Sequence, residues 1–477
     1  MLAKFKKIIP KFCLSIIRPP YHYFLDWLAA LVYGFPSRKL IVIGVTGTAG
    51  KTSTVYLIAR LLTEAGYKTG FTSTAVFSDG QKEWLNDQKM TMPGKFFISR
   101  LLKKMLKNNC TYAIVETTSE GIKQFRHRFI NYDILIFTGL YPEHLESHGS
   151  FENYKQAKGK LFSHLKNCTV KYVDDNQRVV KSPSHLKKLD LTRISKTTII
   201  NGDDAQADYF LNFWSETKII FSISSQLTEL DWLNKLKAEV KIKDLSVIKA
   251  ENIKVSASGT SFKVQQQTIN LKLLGSFNVK NALAAIAVGL NQNLNLGQIK
   301  TALELVRGLA GKLQLVDVGQ DFKAVVDYSF EPKALENLYQ VLDLLDHKKI
   351  IHVLGSTGGG RDKSRRPILG SLAGQKADLV IITNEDPYDE DPQIIIDQVA
   401  AGAESVGKVL NHNLFKIMDR REAIKKAVGL AKKNDLVLIT GKGAEQFICV
   451  ANGQKIPWDE INVLKEEIVD KMCIDKK

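Results

Sequence analysis

Cysteine is sparse in this chain, and its spacing is uninformative in a useful way. The five cysteines, Cys13, Cys110, Cys168, Cys449 and Cys473, include no C-x-x-C pair. That argues against a disulfide framework and a zinc site, and it fits a reducing cytosol. Long apolar runs are also missing. The stretch YHYFLDWLAALVYGF (21–35) contains Asp26 and falls short of the ~20 residues that a membrane span needs. No small-residue cleavage site follows it, so a secretory signal is a poor reading. There is no internal repeat and no low-complexity linker. Nor is there a recognition-helix, RNP or zinc-finger signature to go with the net charge of +17. The basic balance therefore points to nucleotides, phosphorylated sugars or anionic lipid, and nucleic acid is not expected as a partner.

What is present is an ordinary globular composition, 44% apolar and 25% charged over 477 residues, long enough for about two to four domains. The stretch IVIGVTGTAGKTSTVYLIARLL (41–62) carries the first chemistry. Ile41–Val45 reads as a buried parallel strand because it is apolar on both faces. Gly44, Gly47 and Gly50 then lead into Lys51, Thr52 and Ser53 at the start of a helical pattern. Such a turn curls backbone N–H groups round a phosphate and adds the helix N-terminus. Gly47, Thr48, Gly50, Lys51, Thr52 and Ser53 are the candidate ATP-binding residues, with Lys51 reaching the terminal phosphates and Thr52 a Mg²⁺ ion.

Strand-like segments at 111–116, 132–139, 197–202 and 218–224 alternate with helical ones, the pattern of a parallel sheet covered by helices. Residues 245–274 read as a small antiparallel insertion. A second α/β series begins after Gly311. The expected fold is thus α/β: a P-loop-type central ATPase domain with a parallel sheet and that insertion, then a Rossmann-like domain. The expected boundaries are 1–39 for a basic, aromatic N-terminal segment, 40–310 for the central domain and 311–477 for the last. Glu116, at the end of TYAIVE (111–116), lies at the sheet edge where ligands bind in such folds and is a candidate metal ligand.

Thr-Gly-Thr-x-Gly-Lys-Thr resembles the ATP loop of the Mur ligase family, with Ala49 where that family usually has asparagine. Other stretches carry the resemblance along roughly residues 40–460. FTGLYPEHLESHGSFENYKQAKGKLF (137–162) resembles the segment in which Asp-His-Leu-Asp-x-His-Gly precedes Tyr-x-x-Ala-Lys. By that resemblance His144 is a ligand of a second magnesium and Lys158 is the lysine that becomes carbamoylated. Thr52, Glu116, His144 and Lys158 then form the metal set, and Lys51, Lys158 and His144 the catalytic one. By the same resemblance LGSFNVKNALAAIA (274–287) turns Asn278, with Asn281, toward the nucleotide. LAGKLQLVDVG matches the entry to the C-terminal domain, with Lys312 in place of an arginine at the nucleotide. Phe330 replaces a histidine of the family.

VLGSTGGGRDKSRRPILGSLAGQKADLVIITNEDPYDEDPQIII (353–396) parallels the MurE type, which fits best within the family. It implies substrate contacts from Arg361, Arg365, Arg366, Glu385, Asp386 and Tyr388. Forked arginines of that kind clamp carboxylate or phosphate. ITGKGAEQF (439–447) retains Glu445 but has Ala444 for a histidine. KMTMPGK (89–95) resembles the Thr-Thr-Pro substrate loop through Thr91, and Ser119 completes the substrate set.

The resemblance implies an ATP-dependent acid–amino-acid ligase in the cytoplasm, working with ATP and two Mg²⁺ ions on a muramoyl-peptide carboxylate and an amino acid. Rival expectations are a Mur-like ligase for a non-peptidoglycan carboxylate and an ATP-binding subunit of a two-protein amidotransferase. Tyr388 stands where an arginine reads meso-diaminopimelate, which favours L-lysine or another amine. With about 40 residues ahead of the loop, a separate UDP-binding domain is not expected. Residues 1–35, with Lys4, Lys6, Lys7, Lys11 and Arg18 beside Tyr21, Phe24, Trp27 and Tyr33, have two readings. One is peripheral contact with the inner membrane face, and the other is a helix packed on the ATP domain.

Overall fold

A computed structural model of the protein describes residues 11–143, 145–174, 177–180, 191–224 and 244–475. The central sheet is built from β1 (Ile41–Thr46), β2 (Thr69–Thr72), β3 (Val76–Ser78), β4 (Glu83–Leu85), β5 (Tyr112–Glu116), β6 (Ile134–Phe137), β7 (Thr197–Asn201), β8 (Thr217–Ser222) and β9 (Asp244–Lys249). Their order is β9-β8-β7-β6-β1-β5-β2-β3-β4. Pairing is parallel from β9 to β2 and antiparallel through β3 and β4.

β1 is buried at every position, and its alternation sorts two layers. Ile41, Ile43 and Val45 pack with α2 (Lys51–Glu64) and α5 (Phe277–Asn291). Leu40 and Val42 pack on the other face with α3 (Lys95–Lys107) and α4 (Phe151–Leu165). A strand covered on both faces must be apolar at odd and even positions alike, which is why Ile-Val-Ile-Gly-Val shows no polar alternation. Ahead of the sheet, α1 (Lys11–Val32) buries Asp26, Ala29 and Ala30 and sets Tyr23 edge-on to Phe125 and Phe129.

One expected element is placed differently. The antiparallel insertion was expected to start at 245, yet β9 pairs parallel with β8, Val247 opposite Ile220. Only Glu251–Ser256, Gly259–Val264 and Gln267–Leu271 form the antiparallel three-stranded sheet. An alternating strand suits an edge position in either sheet, and periodicity does not encode its partner.

The second sheet holds β10 (Gln314–Leu315), β11 (Lys323–Asp327), β12 (Ile350–Leu354), β13 (Leu379–Thr383), β14 (Leu414–Ile417) and β15 (Leu436–Thr440), in the order β10-β11-β15-β12-β13-β14. Helices α6 (Pro332–Leu342), α7 (Arg365–Lys376) and α8 (Pro392–Glu404) cover one face. Helices α9 (Arg420–Leu430) and α10 (Glu460–Asp475) cover the other. β11, β15, β12, β13 and β14 run parallel, so their C-terminal ends, and the loops 328–331, 355–364, 384–391 and 441–446, share one edge.

Candidate active site

The turn after β1 is shaped by two glycines. A Cβ on Gly47 (φ +155°) would lie 2.0 Å from Thr138 Oγ1, and one on Gly50 (φ +80°) would lie 2.5 Å from Asn281 Oδ1. Both positions therefore demand glycine on steric and conformational grounds. The loop is pinned from outside: Thr48 N–H donates to the Gly139 carbonyl at 2.8 Å, and Thr138 Oγ1 to the Ala49 carbonyl at 2.6 Å. Thr48 Oγ1 meets Tyr154 OH at 3.2 Å. α2 starts at Lys51 with Gly50 as its N-cap and no side-chain cap, so its first N–H groups are left for an anion. Ser53 is partly exposed on that turn. Lys51 folds back, donating to the Thr48 carbonyl at 2.7 Å. Burial lowers its pKa, against the charges of Glu116 and Glu331.

Behind the loop, Glu116 is fully buried. It accepts from Thr52 Oγ1 at 2.9 Å, from Thr74 N–H at 2.8 Å and from Thr74 Oγ1 at 2.9 Å. Thr74 Oγ1 is 2.7 Å from Thr91 Oγ1, so one carboxylate joins the phosphate loop to the expected substrate loop. Lys158, on α4, is 1% exposed. Its ammonium nitrogen donates to the Gly47 carbonyl at 2.9 Å and lies 4.6 Å from the Tyr154 ring centre. Burial, then the Lys51 charge, push its pKa well below the ordinary lysine value. His144 lies outside the described residues. Ser119 is buried and meets His148 Nε2 at 3.1 Å.

Asn278 does not face the loop: its side-chain amide donates to the Leu274 carbonyl at 2.8 Å and accepts from Asn281. Asn281 is the one beside Gly50, accepting from Thr54 Oγ1 at 3.3 Å. Lys312 lies over the Tyr328 ring at 4.8 Å, and its charge is felt at Lys51.

The second sheet's edge brings a charged cluster to the same place. Asp386 accepts from Lys442 Nζ at 2.9 Å, from Cys449 N–H at 2.7 Å and from Lys89 Nζ at 2.6 Å. Glu445 accepts from Lys442 at 2.8 Å, from Tyr328 OH at 3.1 Å and from Lys89. Glu385 is 2% exposed, and its Oε2 has no hydrogen-bond partner among the described residues. Burial pushes its pKa up to about 7 despite the Arg420 charge, because Arg420 is spent on Glu460 in a two-pronged pair. Arg365 reaches Thr357 Oγ1 and lies over the Phe330 ring at 5.3 Å.

Other expected residues point elsewhere. Arg366 is fully buried, held by Gln398 Oε1 (2.8 Å), the Thr357 carbonyl (3.0 Å) and Glu390 (3.1 Å), a supporting position for the 355–364 loop. Arg361 is exposed on that loop. Tyr388 has φ +52° and packs on Gly359, where a Cβ would meet its ring at 2.7 Å.

Sequence reasoning missed several participants. Glu331 accepts from Tyr141 OH at 3.2 Å, and its charge acts on both Lys51 and Lys158. It stands next to Phe330, a position already singled out. Lys89 sits in KMTMPGK, and a lysine opening a substrate loop was the available signal. Thr74 carried none.

The comparisons with known proteins identify the family of both halves. Residues 45–196 and 187–289 match the Mur ligase middle domain, and residues 311–443 the Mur ligase glutamate ligase domain. A UDP-N-acetylmuramyl-tripeptide synthetase of Roseiflexus sp. (strain RS-1) is 34% identical over 441 residues, covering 91% of this chain and 79% of that protein. A UDP-N-acetylmuramoyl-L-alanyl-D-glutamate–2,6-diaminopimelate ligase of Syntrophomonas wolfei is 33% identical, covering 94% and 82%. Among solved structures, a ligase of that second kind superposes with a TM-score of 0.54 at 25% identity, over 91% of this chain and 79% of its own.

Proposed function

This chain belongs to the Mur ligase family, and from that premise we propose how its own residues divide the work of an ATP-dependent amide ligase of the MurE kind. Enzymes of this family join an amino acid to a UDP-muramoyl peptide in peptidoglycan synthesis, using ATP and Mg²⁺. The substrate carboxylate attacks the γ-phosphorus, the bond to the β-phosphate oxygen breaks, and ADP leaves. The amine nitrogen then attacks the acyl carbon, the carbon–oxygen bond breaks, and phosphate leaves.

The observation that carries the assignment is the seat of Lys158, a buried amine held on the Gly47 carbonyl inside the phosphate loop. An ammonium so close to Lys51 would add repulsion and bind no cation. A neutral amine is the form that takes up CO₂, and the carbamate so formed supplies hard oxygen ligands. The lowered pKa supports that chemistry. Among the described residues no three histidine, cysteine or acidic side chains converge on a point. A Mg²⁺ ion would be held here by Thr52, Glu116 and the carbamate of Lys158 together with the nucleotide, and His144 would serve a second ion. When bound, the metal neutralises charge on the transferring phosphoryl group.

Lys51 and the loop N–H groups bind and orient the terminal phosphates. Thr74 and Thr91, through Glu116, tie the substrate loop to them. Glu331 closes over the loop from the second half, which excludes water from the acyl phosphate. Arg365, Glu385, Asp386 and Glu445 receive the amino acid. We take the domain boundary at 310 and 311, between the α5 side of the first core and β10. The peripheral membrane contact of residues 1–35 is a separate proposal on a different surface.

The test is incubation of the full chain with ATP, a UDP-muramoyl dipeptide and a panel of amino acids, followed by mass spectrometry and ADP release. A product heavier by one amino-acid residue, with one ADP per product, is expected. ATP turnover with other carboxylates and none with the muramoyl dipeptide would overturn the substrate assignment.

A further inference from the structure

The outward side of α1 is apolar where a surface helix should be polar. Tyr21, Phe24, Trp27, Leu31 and Val32 are 52%, 54%, 38%, 48% and 61% exposed, at spacings that keep them on one side of the helix. The inward side is already satisfied by Asp26, Ala29 and Ala30, while Tyr23, 42% exposed, packs edge-on to Phe125 and Phe129 at its margin. Beside this stripe runs α3, and the two enclose a groove of about 450 Å³ lined by Leu31, Val32, Tyr33 and Gly34 on one wall and Arg100, Lys103, Lys104 and Lys107 on the other. Lys104 is committed to Asp79 at 2.7 Å. Among the described residues, Arg100, Lys103 and Lys107 have no carboxylate partner within 4.0 Å. They recur at the i, i+3, i+7 spacing of one helix face, and Arg18 at the start of the stripe is also exposed.

An apolar aromatic stripe flanked by unpaired cations matches one environment closely: the boundary of an anionic bilayer, where rings sit at headgroup depth and lysine and arginine meet phosphates. No helix among the described residues is long and apolar enough to cross a membrane, so the helix lies in the plane of the surface. We propose that the α1–α3 face docks this protein on anionic phospholipid, with the groove taking headgroup phosphate. The docking leaves the ligation centre open. α3 begins just after the 89–94 loop and ends, at Lys107, five residues before the start of β5. The groove therefore lies toward the N-terminal edge of the parallel strands, whereas the phosphate loop is at their C-terminal edge. The surface tethers the enzyme and does not feed lipid into the site.

Co-sedimentation of the full chain with vesicles of phosphatidylglycerol and phosphatidylcholine tests this, with pure phosphatidylcholine vesicles and a DNA duplex as comparison partners. The triple variant Arg100→Glu/Lys103→Glu/Lys107→Glu removes the cations, and Phe24→Ser/Trp27→Ser removes the stripe. ATP turnover in solution checks that both still fold, because neither touches the ligation centre. Binding to anionic vesicles alone is expected, with partitioning lowered on the order of a hundredfold in the triple variant, about fivefold per cation, and by at least tenfold in the aromatic one. Negligible wild-type binding at low salt would overturn the proposal, as would equal binding by all three proteins. So would tighter binding to DNA than to anionic vesicles, or wild-type self-association without lipid that the aromatic variant abolishes.

Discussion

Replacing Glu385 by glutamine should stabilise the protein above neutral pH while weakening its hold on the amine. Glu385 is buried without a partner for Oε2 among the described residues, and its pKa rises from 4.5 to about 7. A carboxyl whose folded-state pKa is raised stays protonated in the folded chain between those two values, whereas the unfolded chain has already lost its proton. Stability therefore falls as pH rises above 4.5, and the full cost, about 3 kcal/mol, is reached above 7. Between pH 6 and pH 8 the linkage takes about 1 kcal/mol from the wild type and nothing from Glu385→Gln, which has no proton to lose. For a domain of this size that is roughly 2–4 °C in Tm. The assay is calorimetric melting of both proteins at pH 6 and pH 8, where every other titrating group cancels in the difference. The gap Tm(variant) minus Tm(wild type) should widen by that amount as pH rises.

Such a carboxyl costs stability and is explained by a cationic guest. An incoming ammonium favours the ionised form, so binding of the amino acid should release a proton from Glu385. Below pH 7 the kcat/KM for the amino acid should then rise about tenfold per pH unit and flatten above it, and this limb should be missing in Glu385→Gln. A constant Tm gap, together with an unchanged pH limb, would refute both the raised pKa and its role.

Three further outcomes follow from the same site. Lys158→Ala should lose at least a hundredfold in ligation, about 2.7 kcal/mol of barrier, while short carboxylic acids restore part of it; full activity without additives would end the carbamate role. With Tyr388 where an arginine would meet a second carboxylate, the kcat/KM for meso-diaminopimelate should exceed that for L-lysine by less than tenfold, about 1.4 kcal/mol. Lys89→Met should lower the KM for the amine, because Lys89 holds the Asp386–Glu445 carboxylates that a substrate ammonium would use; a raised KM with unchanged kcat would instead make Lys89 part of the amine's pocket.

How much of this was legible depends on how local each feature is. Strand, glycine turn and helix at 41–62 could be read because their pattern is contiguous and the positive φ of Gly47 and Gly50 leaves a mark on the sequence itself, although Thr138 and Asn281, which crowd those glycines, lie far along the chain. The two-sided burial of β1 was likewise visible in its lack of alternation. The links that build the site are different in kind. Lys89 and Asp386 are 297 residues apart, and Tyr141 and Glu331 190. Neither acidic residue looks different from a solvated one until the sheets bring their C-terminal edges together. Arg366 shows the reverse error: its place in a family motif suggested a substrate contact, but complete burial against Gln398, Thr357 and Glu390 gives it the task of holding the loop.

The contacts named between the halves at the ligand edge are polar: Tyr141 to Glu331, and Lys89 to Asp386 and Glu445. A polar closure suits a ligase whose chemistry alternates between two demands. The carboxylate and ATP must enter an open loop, and the acyl phosphate must then be shielded from water until the amine arrives. Apolar burial would hold the closed form whatever was bound, whereas ion pairs gain or lose strength with the charge beside them. Glu331 acts on Lys51 and Lys158, the two amines whose charge ATP binding and the proposed carbamoylation would alter. On that proposal the state of the phosphate site and the hold of the second domain would be coupled through one carboxylate, and closure would respond to the reactants that require it.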